Sequence, residues 1–103
     1  LLKLLFKNLI ENAIKYGNNN PVNVVLRKEK KIKVVIEDFG IGMSKEALPH
    51  IFERFYREDE ARNREIKSYG LGLSIVKEIV TLLDIDIQVE SETDKGTKIT
   101  LQL

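Results

Sequence analysis

The sequence predicts an α+β fold in which one mixed β-sheet is covered on one face by helices, as a two-layer sandwich. Two segments have the apolar periodicity of amphipathic helices, and four have the composition and alternation of strands. Short polar connections join neighbouring strands, which favours antiparallel pairs over βαβ units. A chain of 103 residues can form one two-layer core and not two. We therefore expect a single domain over residues 1–103.

The pattern of the first half predicts a helix followed by a β-hairpin. Residues 1–16 form the helix, Gly17 lies where a left-handed cap would end it, and residues 18–21 form an Asn-rich turn. Residues 22–27 and 32–38 are strands joined by the polar residues 28–31. Because no capping residue precedes the helix, we expect the chain to begin part-way through a larger protein.

The pattern of the second half predicts short helical pieces, a long loop, a helix and a second hairpin. Ser44 can cap a turn that runs to Leu48, and residues 50–55 form another short helical piece. Residues 56–69 have no periodicity, and a loop of that length in a small domain is typical of a lid over a site. Residues 72–83 form an amphipathic helix, and residues 85–90 and 97–103 form an antiparallel pair around Asp94-Lys95-Gly96.

The composition is that of a soluble globular domain, with 43% hydrophobic and 32% charged residues. The 17 basic and 16 acidic residues are interleaved, so we expect no nucleic-acid partner and no direct membrane contact. The absence of cysteine excludes a disulfide framework and a cysteine-based metal or redox site. Since no signal peptide or membrane-spanning run is present, we expect a cytoplasmic location for this domain.

The segment Asp38-Phe39-Gly40-Ile41-Gly42-Met43 is the most informative part of the chain. It places one carboxylate at the end of a predicted strand and two glycines directly after it. A carboxylate accepts hydrogen bonds, and glycine lets a flat ligand approach the backbone closely. The segment therefore predicts a binding cleft at this strand end.

The first helix carries a polar stripe beside its apolar face. Asn8, Asn12 and Lys15 fall within ~60° of one another at helical spacing. Amide oxygens suit Mg²⁺, which takes few protein ligands when phosphates supply the rest, and an ammonium can neutralise a phosphate. An ordinary solvated face is the alternative explanation of such a stripe. The two glycine segments elsewhere in the chain favour the ligand site.

A second glycine pair, Gly70 and Gly72, precedes the second long helix. Unobstructed backbone N–H groups and the helix dipole at such a position can bind a phosphate. A flexible hinge or a plain helix start would explain the same residues. The glycine pair indicates a phosphate site only in combination with the other motifs.

Together these motifs resemble the ATP-binding catalytic domain of sensor histidine kinases, in the superfamily of gyrase B, mismatch-repair ATPases and the heat-shock chaperone ATPase. Residues 8–16 are similar to the family's Asn box, 38–42 to its first glycine box, 51–57 to its Phe box and 70–76 to its second glycine box. Gly96-Thr97 resembles the final turn. The resemblance covers essentially the whole chain and implies a Bergerat-type fold with a long ATP lid.

The resemblance also implies roles for single residues. Asp38 would accept the exocyclic amine of adenine, Asn12 would hold Mg²⁺ with Asn8 in support, and Arg57 would reach the terminal phosphate. Lys15 and Tyr16 would lie beside the phosphates or the ribose. The other positions implied to contact the nucleotide are Gly40, Ile41, Gly42, Met43, Phe55, Tyr69, Gly70, Leu71, Gly72, Leu73 and Thr97.

Position 8 helps to choose an activity within the superfamily, because the hydrolysing relatives carry a water-activating Glu where this helix has Asn8. Glu11 lies about 60° off the polar stripe and is a poor substitute. The chain is therefore expected to bind Mg-ATP and to donate the γ-phosphoryl group to a histidine on a dimerisation helix outside the chain. A non-catalytic nucleotide-binding module and a protein serine kinase of the anti-sigma type remain alternatives.

The implied partners lie outside these residues. They are the phosphoacceptor histidine domain of the parent kinase and a downstream response regulator, and we expect the parent to be a homodimer, with or without an anchor in the inner or plasma membrane. His50 is the single histidine of the chain. It lacks the acidic neighbour and the helical context of an acceptor histidine, so we do not expect it to be phosphorylated.

Overall fold

The computed structural model describes residues 1–53 and 72–103. Its elements, in chain order, are α1 (Leu2–Lys15), β1 (Asn23–Lys28), β2 (Ile32–Asp38), a 3₁₀ turn (Leu48–His50), α2 (Gly72–Leu82), β3 (Asp86–Glu92) and β4 (Gly96–Gln102). The predicted helices and strands are present within a few residues of their expected ends. The predicted lid, residues 56–69, lies outside the described residues.

The four strands form one sheet in the order β1-β2-β4-β3. Each of the three pairings is antiparallel, so the sheet is not the mixed sheet that the sequence analysis expected. Strands β2 and β3 do run in the same direction, as a crossover through α2 requires. Strand β4 lies between them, however, so no two strands within residues 1–53 and 72–103 form a parallel pair. The predicted α+β sandwich is otherwise confirmed.

The core lies between one face of the sheet and the two helices. Alternate residues of β2 point to this face, so Val34 and Ile36 are buried while Val35 between them is not. Helix α1 buries Leu5, Leu9 and Ala13 at helical spacing. The remaining members of the core are Val76, Ile79, Val80, Ile85, Ile99 and Leu101. The two helices thus cover one face of the sheet.

Strand β1 lies at the edge of the sheet, and all six of its residues are exposed. Val24 and Leu26 pair with Ile36 and Val34 and therefore share the core face of the sheet. Their exposed fractions are nevertheless 52% and 69%. The described residues leave this end of the core face uncovered.

The turn after α1 differs from the prediction that Gly17 adopts a left-handed conformation. The left-handed residues at this corner are Asn18, with φ of 53°, and Asn19, with φ of 62°. Asn tolerates this conformation better than most residues. Gly17 is needed for space instead, because a Cβ atom there would lie 2.6 Å from the carbonyl oxygen of Ala13.

The segment after β2 partly follows the prediction. Ser44 caps the expected turn, since its Oγ accepts the Ala47 N–H over 3.1 Å. A 3₁₀ turn lies at Leu48–His50, earlier than the helical piece expected over residues 50–55. Residues 51–53 form turns and a bend, and residues 54–55 lie outside the described part of the chain. Pro49 explains the shift, because its fixed φ suits the first positions of a helical turn. Within the described residues, neither α1 nor α2 is long and apolar enough to cross a membrane.

Candidate functional site

The site is built around Asp38, the last residue of β2. Its side chain is 5% exposed, and its Oδ1 accepts the backbone N–H of Gly40 over 3.1 Å. Burial raises the pKa of Asp38 above its ordinary 3.8, while the backbone N–H groups of Gly40 and Thr97 oppose the rise and Glu37 adds to it. The structure therefore holds a buried acceptor at the strand end, as the sequence predicted.

The segment after Asp38 is packed against the end of α1. A Cβ atom on Gly40 would overlap the carbonyl oxygen of Tyr16 and would lie 2.6 Å from Cα of Gly17. The Ile41 N–H donates to the same Tyr16 carbonyl over 3.1 Å. This contact joins the last turn of the Asn-bearing helix to the first glycine box.

The other side of the segment is packed against the turn between β3 and β4. Gly42 has φ of +65°, and a Cβ atom there would lie 2.7 Å from the carbonyl carbon of Glu92. The Asp94 N–H donates to the Ile41 carbonyl over 2.8 Å. Gly96, with φ of +122°, lies against Phe39 in the same way. The glycine segment is thus held between two elements that are far apart in sequence.

A hydroxyl pair completes this end of the site. Thr97 is 9% exposed and lies directly opposite Asp38 in the pairing of β2 with β4. Its Oγ1 is 2.8 Å from Oγ of Ser91 on β3. Ser91 also accepts the Met43 N–H over 2.8 Å and donates to the Gly96 carbonyl over 2.9 Å. A side chain of β3 therefore reaches both the glycine segment and β4.

Ser91 is not among the site residues that the sequence predicts. The predicted strand ended at Glu90, although β3 continues to Glu92. The alternation that places Ile87 and Val89 towards the core also places Ser91 on that face. A polar residue at the inward position of a strand was the available signal.

The polar stripe of α1 lies partly inside the structure. Asn8 and Asn12 are half-buried, whereas Lys15 is exposed. The Nδ2 atom of Asn8 is buried and has no hydrogen-bond partner among the described residues. Its Oδ1 would be 3.9 Å from a Cβ atom on Gly72, so Asn8 faces the start of α2. A buried amide without a partner is the kind of group that a polar ligand satisfies.

Helix α1 therefore runs between the two ends of the candidate site. Asn8 lies beside Gly72 at one end, and Tyr16 contacts Ile41 at the other. The two positions are separated by about 12 Å along the helix axis. Asn12 lies midway between them. The structure brings the first glycine box and the start of α2 to one helix, as the prediction of a common site requires.

Other predicted residues take different places. Leu73 is half-buried and packs against the core. Phe52 does the same, with Nζ of Lys77 5.9 Å from its ring centroid. The predicted site residues that lie outside the described part of the chain are Phe55, Arg57, Tyr69, Gly70 and Leu71.

His50 has the acidic neighbour that the sequence analysis did not expect. Its Nδ1 lies 2.5 Å from Oε2 of Glu53, and both side chains are at least half exposed. The two residues are brought together by the turn that begins at Leu48. Since His50 ends a 3₁₀ turn rather than lying on an α-helix, the expectation about its helical context is met.

The residues present suit a hard cation that takes few protein ligands. In residues 1–53 and 72–103, no cluster of three or more His, Cys, Asp or Glu side chains could hold a metal ion. The amide oxygens of Asn8 and Asn12 remain as possible metal ligands on one stripe of α1. The unpartnered atom of Asn8 is Nδ2, an N–H donor, which suits a phosphate oxygen and not the cation itself. This set fits Mg²⁺ with most of its ligands from phosphates and water.

Comparison with known proteins gives consistent matches. The model of the family described as histidine kinase-, DNA gyrase B-, and HSP90-like ATPase matches residues 1–103. The sensor histidine kinase YkoH of Bacillus subtilis is 42% identical over 101 residues, which are 98% of this chain and 22% of that protein. The histidine-protein kinase ArlS of Staphylococcus aureus is 44% identical over 95 residues, 90% of this chain and 21% of its own length.

Two solved structures share the fold. The mycobacterial sensor histidine kinase MprB superposes with a TM-score of 0.80 at 29% identity, over 99% of this chain and 68% of that one. Full-length ShkA, crystallised with AMPPNP, gives a TM-score of 0.81 at 23% identity, over 98% of this chain and 20% of that one. The chain spans about a fifth of the length of the two curated relatives.

Proposed function

The chain belongs to the family of histidine kinase-, DNA gyrase B- and HSP90-like ATPases, and we propose that it is the catalytic domain of a protein histidine kinase. It binds Mg-ATP and transfers the γ-phosphoryl group to a histidine on a separate phosphoacceptor domain. The nucleotide part of the proposal is carried by the buried Asp38 beside a glycine backbone that leaves no room for side chains. The kinase part is supported by relatives that are named sensor histidine kinases.

Asp38 reads the base in this proposal. An ionised carboxylate only accepts hydrogen bonds, so it pairs with the exocyclic amine of adenine and not with the 6-oxo group of guanine. Gly42 lets the ring approach, because its backbone carries no Cβ atom. The backbone of Gly40, Ile41 and Met43, and the hydroxyl of Thr97, line the same end of the site.

The phosphate end lies along α1. Asn12 would hold the Mg²⁺ ion through its amide oxygen, with Asn8 in support, and Lys15 and Tyr16 would lie beside the phosphates or the ribose. When bound, Mg²⁺ neutralises charge on the phosphate oxygens. The start of α2, at Gly72 and Leu73, adds a helix N-terminus to which the phosphate chain is attracted. Residues that we assign to this end from outside the described part are Phe55, Arg57, Tyr69, Gly70 and Leu71.

In the transfer step, a ring nitrogen of the acceptor histidine forms a bond to the γ-phosphorus. The bond from that phosphorus to the β–γ bridging oxygen breaks, and ADP leaves with the electron pair. Little covalent chemistry falls to the protein, which positions the phosphates and stabilises their charge. Asn8 stands where hydrolysing relatives carry a water-activating Glu, and Glu11 is exposed. Attack by water is therefore slow.

The proposal extends to the parent protein. Residues 1–103 form one catalytic domain, and residues 56–69 are its ATP lid. The parent is a homodimer that contains the phosphoacceptor domain and passes the phosphoryl group to a response regulator. The domain acts in the cytoplasm, whether or not the parent is anchored in a membrane.

Calorimetric titration with a non-hydrolysable ATP analogue tests the nucleotide site. We expect binding that is tighter with Mg²⁺ than with chelator present and much weaker binding of the GTP analogue. Equal binding of the two bases would contradict the role of Asp38. The absence of any binding would overturn the proposal and leave the domain as an interaction module.

A transfer assay tests the kinase activity. The parent kinase, which carries its own phosphoacceptor domain, is incubated with labelled ATP. The protein-bound label should be stable to alkali and lost in acid, as a phosphorus–nitrogen bond requires. Label that survives acid would indicate a serine kinase, and bound nucleotide without label would indicate a regulatory module.

A further inference from the structure

The hydroxyl of Ser91 has three hydrogen-bonding neighbours but only one proton to donate. It lies 2.8 Å from the Met43 nitrogen, 2.9 Å from the Gly96 carbonyl oxygen and 2.8 Å from Oγ1 of Thr97. A backbone N–H can only donate and a carbonyl can only accept. Ser91 therefore accepts from Met43 and gives its single proton to Gly96. The contact with Thr97 is then a hydrogen bond only if the Thr97 hydroxyl donates.

The direction of this bond decides what Thr97 can offer to a ligand. With its proton directed to Ser91, the Thr97 hydroxyl keeps only lone pairs and acts as an acceptor. Thr97 lies opposite Asp38 on the same face of the sheet, and the carboxylate is an acceptor as well. The two neighbouring side chains thus present acceptors and no donor.

We propose that Ser91 is a positioning residue that sets base selectivity by holding the Thr97 hydroxyl as an acceptor. The inference rests on the proposed function, since it concerns the same nucleotide site. A 6-amino purine brings N–H donors to this pair. A 6-oxo purine brings a carbonyl oxygen to the place of the amine, with an N–H at N1 beside it. The acceptors repel that oxygen and cannot satisfy it. Selectivity then comes from Asp38 and from the fixed direction of the Thr97 hydroxyl together.

The hydrogen-bond arrangement also explains why a serine suits this position. The Ser91 oxygen accepts two bonds and donates one, which uses its full capacity. In Ser91→Ala the Thr97 hydroxyl loses its acceptor and is free to rotate and donate its proton to a 6-oxo group. The change should therefore alter the ratio of affinities, and a purely structural loss would lower both affinities alike.

The experiment compares ATP and ITP as ligands of the wild-type domain and its variants with Mg²⁺ present. The two nucleotides differ only in the group at the 6-position and in the proton on the adjacent N1. Wild type should prefer ATP. Ser91→Ala should narrow the ATP-to-ITP affinity ratio by about tenfold, the size of one hydrogen bond to a polar group. Ser91→Thr keeps the hydroxyl and should restore the ratio. Thr100→Val is the matched control, because Thr100 is a buried threonine of β4 on the opposite face.

An equal loss of ATP and ITP affinity in Ser91→Ala would overturn the proposal and leave the nucleotide site intact. A wild-type domain that binds neither nucleotide would overturn the proposed function itself. If Ser91→Ala does not fold, NMR of the wild-type domain decides. A Thr97 hydroxyl proton in slow exchange with water, with a cross-peak to Ser91, is expected. A fast-exchanging hydroxyl would show that the bond is not formed and would overturn the proposal.

Discussion

Gly40 lies against the backbone of Gly17, so that a Cβ atom on Gly40 would come within 2.6 Å of the Gly17 Cα atom. The two glycines belong to different elements, one following α1 and the other following β2. Their contact brings the helix that carries the Asn residues to the strand end that carries Asp38. It depends on the absence of a side chain at Gly40.

Gly40→Ala should therefore destabilise the domain by about 3 kcal/mol, at the upper end of the cost of overpacking, because the added methyl group meets backbone and not a mobile side chain. Urea unfolding followed by circular dichroism measures the effect. Gly72→Ala is the control, since the nearest atom to a Cβ there is Oδ1 of Asn8 at 3.9 Å. Its effect should stay within about 0.5 kcal/mol. Equal urea midpoints for Gly40→Ala and wild type would show that the close approach is absent.

Asp38 should make stability depend on pH in an unusual direction. Because burial raises its pKa in the folded state above 3.8, the folded protein binds the proton more tightly than the unfolded chain. The stabilising contribution is full below the unfolded pKa and is lost as the pH rises through the folded pKa. Relative to Asp38→Asn, wild type should thus become less stable from about pH 4 upward, until the carboxyl is fully ionised.

Unfolding free energies of both proteins between pH 3 and pH 8 check this difference. Asp86→Asn, on the exposed end of β3, controls for the loss of one negative charge. A wild type that gains stability over Asp38→Asn with rising pH would contradict the burial argument. Asp38→Asn should also lose about tenfold or more in affinity for an ATP analogue. A neutral amide with one accepting oxygen then replaces a charged carboxylate with two.

Asn12→Ala should weaken nucleotide binding chiefly when Mg²⁺ is present. Removing the amide oxygen takes away a metal ligand, so we expect a loss of about tenfold or more with Mg²⁺. With chelator present, wild type and variant should bind the analogue alike. Glu11→Ala, an exposed neighbour on α1, is the control in both titrations. A loss of equal size with and without Mg²⁺ would show that Asn12 is not the metal ligand.

Asn19 should be replaceable by glycine but not by alanine. Its φ of 62° is a left-handed conformation, which costs most residues about 1–2 kcal/mol. Asn19→Ala should lose about 1 kcal/mol of stability in urea unfolding, while Asn19→Gly should be neutral or slightly stabilising. If the two variants unfold at the same midpoint, the turn is not held in this conformation.

Local sequence signals predicted most of the elements. Apolar spacing identified α1, and the alternation of β2 placed Asp38 at its end, because both patterns depend on neighbours within a few residues. The order of the strands depends on distant contacts. A mixed sheet was expected, but the insertion of β4 between β2 and β3 makes every described pairing antiparallel, and no local pattern predicts that insertion.

The same limit explains the differences at the site. Gly17 was expected to be a left-handed cap, but glycine is required there by the close carbonyl oxygen of Ala13. Ser91 contributes through Met43, which is far away in sequence. The resemblance to the family did predict Asp38, Asn12 and Thr97 as site residues. Family motifs identify residues that are far apart in sequence and close together in the fold. The roles of these residues stay predictions until the binding experiments are made.

The pairing of Asp38 with Thr97 has a consequence for the order in which the molecule folds. The two residues are about 60 positions apart, so their contact closes a large loop and contributes to slow formation of the central sheet. The hairpins β1–β2 and β3–β4 are each local in sequence, but neither contains both residues. During refolding, adenine-selective binding should appear only after this closure, and a fluorescent nucleotide would therefore report the arrival of the complete native topology.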